Sequence, residues 1–222
     1  HLSSLKFSAR YLLSLVNDIL QINKIEDNRI VLENLTFNIS DEINMVKSSL
    51  SFIAKTNDNV VHVNVDPSIP EYLIGDKLRL SQIIMNLVSN ALKFTKNGTV
   101  TVRTKLESSE RKNVTIYFEI VDTGIGIAAD KLETVFDSFS QGSIEVNRKY
   151  GGTGLGLTIV KKLVTLLGGD IKLVSTIGKG SSFSFKLDFK VDSAPIIKEK
   201  EIEKFSSDQL ADKKILLIED NK

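Results

Sequence analysis

Arg79-Leu80-Ser81-Gln82-Ile83-Ile84-Met85-Asn86-Leu87-Val88-Ser89-Asn90-Ala91-Leu92-Lys93-Phe94 is the stretch on which the reading of the fold turns. At about 100° per residue, Arg79, Gln82, Asn86, Asn90 and Lys93 fall within an arc of about 100°, with Leu80, Ile84, Leu87, Val88 and Ala91 opposite. The spacing predicts one helix over 77–94 with a core face and a polar stripe. Two amides a turn apart beside two cations suit a magnesium-bound polyphosphate: amide oxygens are hard ligands, and Lys and Arg neutralise phosphate oxygens. On periodicity alone, a solvated polar face is the better reading of that stripe.

Downstream, the turn Lys96-Asn97-Gly98 leads into two strands, 99–106 and 114–121, joined as a hairpin. Residues 122–153 are rich in Gly, Ser and polar groups, and so long an irregular stretch inside a domain is a functional signal. A helix is predicted over 154–167, ending at Gly168-Gly169, followed by strands 170–175 and 181–189. Upstream lie a strand over 60–65, a break at Asp66-Pro67-Ser68-Ile69-Pro70, a strand over 36–39, and a helix capped by Ser40 with Asp41 and Glu42 in its first turn. This order is not a repeated βαβ. It predicts an α+β fold, a two-layer α/β sandwich whose mixed sheet of about five strands is covered on one face by helices.

Residues 2–26 read as one long helix, because Leu2, Leu5, Ala9, Leu12, Val16 and Ile19 follow steps of three and four. Leu13 and Leu20 widen the stripe towards what a four-helix bundle buries. Residues 191–211 are polar and charged, as in a linker. Lys213-Lys214-Ile215-Leu216-Leu217-Ile218-Glu219-Asp220 then begins a fresh apolar strand. The first residue is not Met and the last follows a strand-like run, so both ends are expected to be cuts.

The 222 residues are 41% hydrophobic and 26% charged, which fits one sizeable globular core with appendages. With 29 Lys and Arg against 28 Asp and Glu, the net charge of +1 offers no field to recruit nucleic acid or anionic lipid, so phosphate recognition has to be local. The absence of cysteine removes disulfides, thiolate metal sites and cysteine nucleophiles, and agrees with a reducing cytoplasm. No apolar run reaches the roughly 18–20 residues of a membrane helix, and no signal peptide is evident, so the expectation is a soluble chain without membrane contact.

Three glycine-bearing elements complete the chemistry. Asp122-Thr123-Gly124-Ile125-Gly126-Ile127 sits where an apolar strand ends. Its glycines let backbone approach a ligand, and an ionised Asp accepts hydrogen bonds only, which suits the donor face of a base such as the adenine amino group. Gly124 to Ala129 also fits the dinucleotide fingerprint G-x-G-x-x-A, but no βαβ unit surrounds it. Gly151-Gly152-Thr153-Gly154-Leu155-Gly156-Leu157 stands at a helix start, where successive amides favour an anion and glycines permit a movable lid; a flexible turn is the bland alternative. No G-K-[ST] follows, so it is not a P-loop. Gly178-Lys179-Gly180-Ser181-Ser182-Phe183 reads by itself as a tight strand connection.

In this order the elements resemble the catalytic domain of sensor histidine kinases, members of the ATPase superfamily that includes gyrase B, large heat-shock chaperones and mismatch-repair ATPases. The helix with Asn86, Asn90 and Lys93 looks like the N box and Asp122 to Gly126 the G1 box. Phe136-Asp137-Ser138-Phe139 looks like the F box, Gly151 to Gly156 the G2 box, and the turn 178–180 with Ser182 the last, weaker box. The resemblance covers about residues 38–190. It implies ATP and Mg2+ as ligands: Asn90 on the metal, Lys93 on a phosphate, Asp122 on the adenine amino group, and an ATP lid over about 140–153. It makes Lys93 and Asn86 the catalytic pair. It brings Gly124, Gly126, Ile127, Phe139, Gly152, Thr153, Gly154, Leu155, Gly156 and Ser182 to the nucleotide.

By the same resemblance, residues 1–34 are the second helix of a dimerisation and phosphotransfer bundle. Residues 35–190 are the catalytic domain, 191–211 a linker and 212–222 the first strand of a receiver domain, Glu219-Asp220 being its acidic pair. The implied activity is transfer of the ATP γ-phosphate to a histidine in a hybrid kinase. Its partners are its own bundle and receiver domains, a cognate response regulator and a second copy in the full-length dimer. Its place is the cytoplasm, any membrane anchor being upstream.

The family's phosphoacceptor is a histidine followed by an acidic residue and shortly a proline, on the first bundle helix. His1 precedes Leu2-Ser3-Ser4 and what looks like the second helix, and His62 alternates within a strand, so neither fits. Related hydrolytic ATPases carry a water-activating glutamate one turn before the magnesium asparagine. Asn86 stands there instead, and an amide cannot take a proton near neutral pH. A nucleotide-binding regulatory module without catalysis remains the alternative. A serine kinase of the anti-sigma type would need neither the bundle helix nor a receiver strand.

Overall fold

The computed structural model describes residues 2–27, 29–138 and 153–192, with residues 2–8, 10, 11 and 14 as backbone alone. Helix α1 (Leu2–Glu26) comes first, then β1 (Leu35–Phe37), α2 (Ile39–Ser49), α3 (Ser51–Thr56), β2 (Val60–Val65), β3 (Leu73–Gly75) and α4 (Lys77–Phe94). A long hairpin of β4 (Thr99–Glu110) and β5 (Asn113–Asp122), helix α5 (Gly156–Leu166), β6 (Ile171–Thr176) and β7 (Gly180–Val191) complete it.

The strands form one sheet in the order β1-β3-β7-β5-β4-β2, with β6 on β7. Only β2 and β4 among these pairs run parallel, so the sheet is mixed as expected. It has seven strands where about five were expected. The one strand that the sequence reading does not name, β3, has three residues, Leu-Ile-Gly, too few for periodicity to register. Helix α3 escapes for the same reason, being six residues long.

The alternation of β5 and β7 explains the second layer. Val114, Ile116, Phe118 and Ile120 on β5 are buried, as are Phe183, Phe185, Leu187 and Phe189 on β7, while the intervening residues face outwards. Phe118 stacks on Phe185 with ring centroids 4.9 Å apart. Against this face α4 places Leu80, Ile83, Ile84, Leu87, Val88, Ala91 and Leu92, and α5 places Ile159, Val160, Leu163 and Val164, all in one core.

Helix starts differ from the sequence reading by a residue or two. The cap of α2 is Asn38, whose side-chain oxygen accepts from the amides of Ser40 (2.8 Å) and Asp41 (3.3 Å), so β1 ends at Phe37 and Ser40 lies inside the helix. Helix α4 begins where expected, because Asp76 Oδ1 accepts from the Arg79 amide at 2.9 Å. Helix α5 begins at Gly156 instead of 154, since Gly154 has φ 72°, outside any right-handed helix.

Helix α1 buries a different part of its stripe than the N-terminal leucines suggest. Ile22 and Ile25 enter the core, whereas Leu12, Leu13, Val16 and Leu20 are exposed. Its polar residues reach across too: Gln21 Oε1 accepts from Gln82 Nε2 at 2.7 Å, and Lys162 Nζ meets Glu26 Oε1 at 2.8 Å.

Candidate functional site

The polar stripe of α4 is not left to solvent. Its first half meets α1 through Gln82, and Arg79 Nη1 donates to Gln82 Oε1 at 3.3 Å. Its second half faces the start of α5: a Cβ built on Gly156 would lie 3.5 Å from Asn86 Oδ1 and 3.9 Å from Asn90 Nδ2. The N-terminus of α5, with no side-chain cap, therefore stands over two amides. Amide groups without intrahelical partners and a positive helix-dipole end favour an anion there. Lys93 continues the stripe, half-buried, its ammonium 4.8 Å from the Phe94 ring centroid; burial pushes its pKa down.

The end of α4 is tied to the next element. Asn59, buried at the foot of β2, donates through Nδ2 to the carbonyls of Leu92 (3.1 Å) and Thr95 (2.8 Å) and accepts from the Gly98 amide through Oδ1 (3.1 Å). Asn57 adds a bond to Leu92 O at 3.0 Å. The Phe94 carbonyl accepts from the Ile125 amide at 3.2 Å, so the loop after β5 hangs from this helix end. Sequence reading misses both asparagines, which lie in what looks like an ordinary polar turn.

Asp122 ends β5 at the inner side of that loop and is buried. Its Oδ1 accepts from the Gly124 amide at 2.8 Å. Burial raises its pKa, and hydrogen bonds from Gly124 and from the backbone and hydroxyl of Ser181 act the other way. Gly124 packs so closely that an added Cβ would be 2.5 Å from Phe94 O and 2.9 Å from Asp122 Oδ1. At Gly126, with φ 68°, an added Cβ would clash with the Thr176 carbonyl. The Ile127 amide donates to Ser175 Oγ at 2.8 Å, and the Gly178 amide to Ile125 O at 2.8 Å. The weak glycine turn at 178–180 is thus the back wall of the Asp122 loop.

One expected site residue lies on the wrong side of the sheet. Ser182 donates to Glu119 Oε1 at 2.9 Å on the outer face, because it alternates with Phe183. Its neighbour Ser181 is the buried serine, paired in register with Asp122. Of the expected site residues, Gly156 lies against Asn86 and Asn90, Gly124 against Asp122, and Gly126 against Thr176, while Leu155 is a buried core residue. Phe139, Gly152 and nearly all of the segment read as a lid, 140–152, lie outside the described residues. His62 is exposed on β2.

Residues 75–191 match the family model of histidine kinase-, DNA gyrase B- and HSP90-like ATPases. The chain belongs to this family. It is 40% identical over 192 residues to hybrid signal transduction histidine kinase B of Dictyostelium discoideum, covering 84% of this chain and 9% of that protein. Signal transduction histidine-protein kinase BarA of Escherichia coli K12 is 36% identical over 221 residues, covering 100% of this chain and 24% of that one. A crystal structure of full-length ShkA in complex with AMPPNP superposes with a TM-score of 0.74 at 30% identity, over 87% of this chain and 39% of that one. The chain thus spans about a tenth to a quarter of these two curated relatives. Its matched relatives are named as signal transduction histidine kinases, and the matched family is one of ATPases.

The residues fit a magnesium nucleotide. Among the described residues no cluster of three or more His, Cys, Asp or Glu could hold a metal by itself, so a divalent ion here would share an amide ligand with phosphate oxygens. Gly156 leaves open the space that a side chain would fill beside Asn86 and Asn90. The Thr95 hydroxyl, fully buried beneath the Asp122 loop, has no hydrogen-bond partner among the described residues and can serve a polar ligand edge or an ordered water.

Proposed function

We propose that this core binds Mg-ATP between α4, the 122–127 loop and α5 and transfers the γ-phosphate to a histidine on a bundle domain. The observation that carries the reading is the seating of the α5 N-terminus over Asn86 and Asn90, with buried Asp122 nearby at the end of β5. Asp122 accepts from the adenine amino group, Asn90 is the protein ligand of the metal, and Lys93 neutralises a phosphate. The metal, when bound, supplies charge neutralisation between phosphate oxygens. Asn86 orients the polyphosphate without acting as a base. The free amides at the α5 N-terminus hold developing negative charge, and positioning is what phosphoryl transfer chiefly requires.

The whole protein's organisation follows the same reading. Residues 1–34 are the second helix of the bundle, 35–190 the catalytic domain, 191–211 a linker and 212–222 the opening strand of a receiver. The exposed Leu12, Leu13, Val16 and Leu20 are the face that the rest of a dimeric bundle covers. Partners are the bundle and receiver domains of the same protein and a cognate response regulator. No helix among the described residues is long and apolar enough to cross a membrane. The site is assigned to the cytoplasm, where ATP is.

The test is transfer in trans. A separate polypeptide with both bundle helices and the family's phosphoacceptor histidine is mixed with this chain and γ-labelled ATP. Acid-labile, base-stable label on the partner is expected. Label that fails to appear while ATP binds normally would leave a nucleotide-binding regulatory module in place of the kinase.

A further inference from the structure

Thr153 joins two parts of the chain that lie 135 positions apart. Its hydroxyl donates to Asp18 Oδ2 at 2.9 Å and accepts from the Leu155 amide at 3.3 Å. Leu155 is the residue on which α5 starts, and the next residue, Gly156, lies against Asn86 and Asn90. A carboxylate from α1 is thereby held at the rim of the region assigned to the polyphosphate. The placement is braced: Gln21, three residues on and on the same face of α1, bonds to Gln82, one turn before Asn86 on the α4 stripe.

We propose that Asp18 is a specificity-determining residue of the nucleotide site, weakening binding in proportion to the negative charge of the phosphate chain. The inference rests on the Mg-ATP reading given above. Asp18 is acceptor-only when ionised, and at this rim it does two things. It holds the Thr153 hydroxyl so that its lone pairs face the Leu155 amide, and it places a negative charge where ATP brings several more. The positive end of α5 attracts both. Repulsion acts on ATP most, on ADP less and on adenosine not at all, so Asp18 narrows the preference for the triphosphate over the diphosphate. Because Asp18 sits on α1, whose other side exposes Val16 and Leu20, the strength of this discrimination depends on how α1 is seated.

Calorimetry on the 222-residue chain with ATP, ADP and adenosine, each with Mg2+, tests this. Asp18→Asn keeps a side-chain oxygen for Thr153 and removes only the charge. ATP affinity is expected to rise about threefold to tenfold, ADP affinity by less, and adenosine affinity to stay unchanged. The gain should shrink at high salt, as a charge effect at a partly exposed rim must. Glu26→Gln, which removes the ion pair to Lys162 at the other end of the same helix, should leave the ATP-to-adenosine ratio as it is. Equal shifts for all three ligands, or no gain for ATP, overturn the proposal while leaving the nucleotide site intact. Wild-type protein that binds adenosine no better than it binds an unrelated nucleoside overturns the site reading itself.

Discussion

The Gly124 amide donates to Oδ1 of Asp122 at 2.8 Å, and this bond turns a buried strand-end carboxylate towards the loop that hangs from α4. Replacement of Asp122 by Asn should cost about 1.5–3 kcal/mol of ATP binding, roughly 10-fold to 150-fold, because a charged acceptor becomes a neutral one with a competing donor. Calorimetry decides this. Unchanged ATP affinity in folded Asp122→Asn protein would remove the assignment.

The same carboxylate makes a second, opposite forecast for stability. Burial raises its folded pKa above the ordinary value of 3.8, so between the unfolded and the folded pKa the native state holds more protons than the unfolded one. Stability from this group is therefore present at low pH and is lost as pH rises through the folded pKa. At neutral pH the charged, buried Asp122 is a net cost, and Asp122→Asn should unfold at higher denaturant than wild type. A lower midpoint for the variant at neutral pH, with wild type no better at acid pH, would contradict the burial argument. Binding should follow the reverse course and weaken as pH falls through the same range.

Asn90 and Asn86 share a stripe but not a role. Asn90→Ala should weaken magnesium-dependent ATP binding and leave adenosine binding nearly intact, since its amide lies beside the α5 start. Titrations with and without Mg2+ separate the two. Equal loss of both ligands would put Asn90 in the wrong place.

Elements that repeat a pattern are legible in the amino-acid sequence. Helix α4 spans the predicted residues, since its seven buried positions keep helical spacing and Asp76 caps it where the run begins. Helix α1 is legible as a helix but not as to which stripe it buries: leucines at 12, 13 and 20 are open, whereas Ile22 and Ile25 meet the core. The expectation for Ser182 misses by one residue because a two-residue period decides between the faces of β7, and a run of two serines hides the phase. The contacts that hold the site, Asn59 to the end of α4 and Ser175 to the 122–127 loop, join distant segments and leave no local signal.

Gly180 offers a test of how the back wall is built. It adopts φ 98°, and a Cβ there would collide with the Asp122 carbonyl. Gly180→Ala should therefore destabilise the domain by about 2–4 kcal/mol through strain and displaced backbone. Thermal unfolding measures it. Gly178→Ala serves as the contrast: its φ of 75° costs strain, but nothing lies within 4 Å, so its effect should be smaller. Equal losses would mean that packing against Asp122 does not matter.

Supplied with ATP and nothing else, the chain should bind the nucleotide without consuming it. Three structural facts lead there. His62 is exposed on β2 and pairs with Thr101, with no acidic side chain bonded to its ring among the described residues, so nothing activates its imidazole. Asn86 lies beside the start of α5, and an amide cannot draw a proton from water near neutral pH. Lys93 is half-buried and burial lowers its pKa; an ammonium is a charge partner for phosphate, not a base for water. Labelled γ-phosphate should remain on the nucleotide over the period in which the bundle polypeptide becomes labelled in trans. Single-turnover measurements separate the two processes, and placing glutamate at position 86 asks whether water attack is limited by the missing base. Fast hydrolysis by the wild-type chain would show that the amide at Asn86 is not what restrains water. Label on His62 would show that a strand histidine can serve as acceptor, which the open, unpolarised setting on β2 argues against.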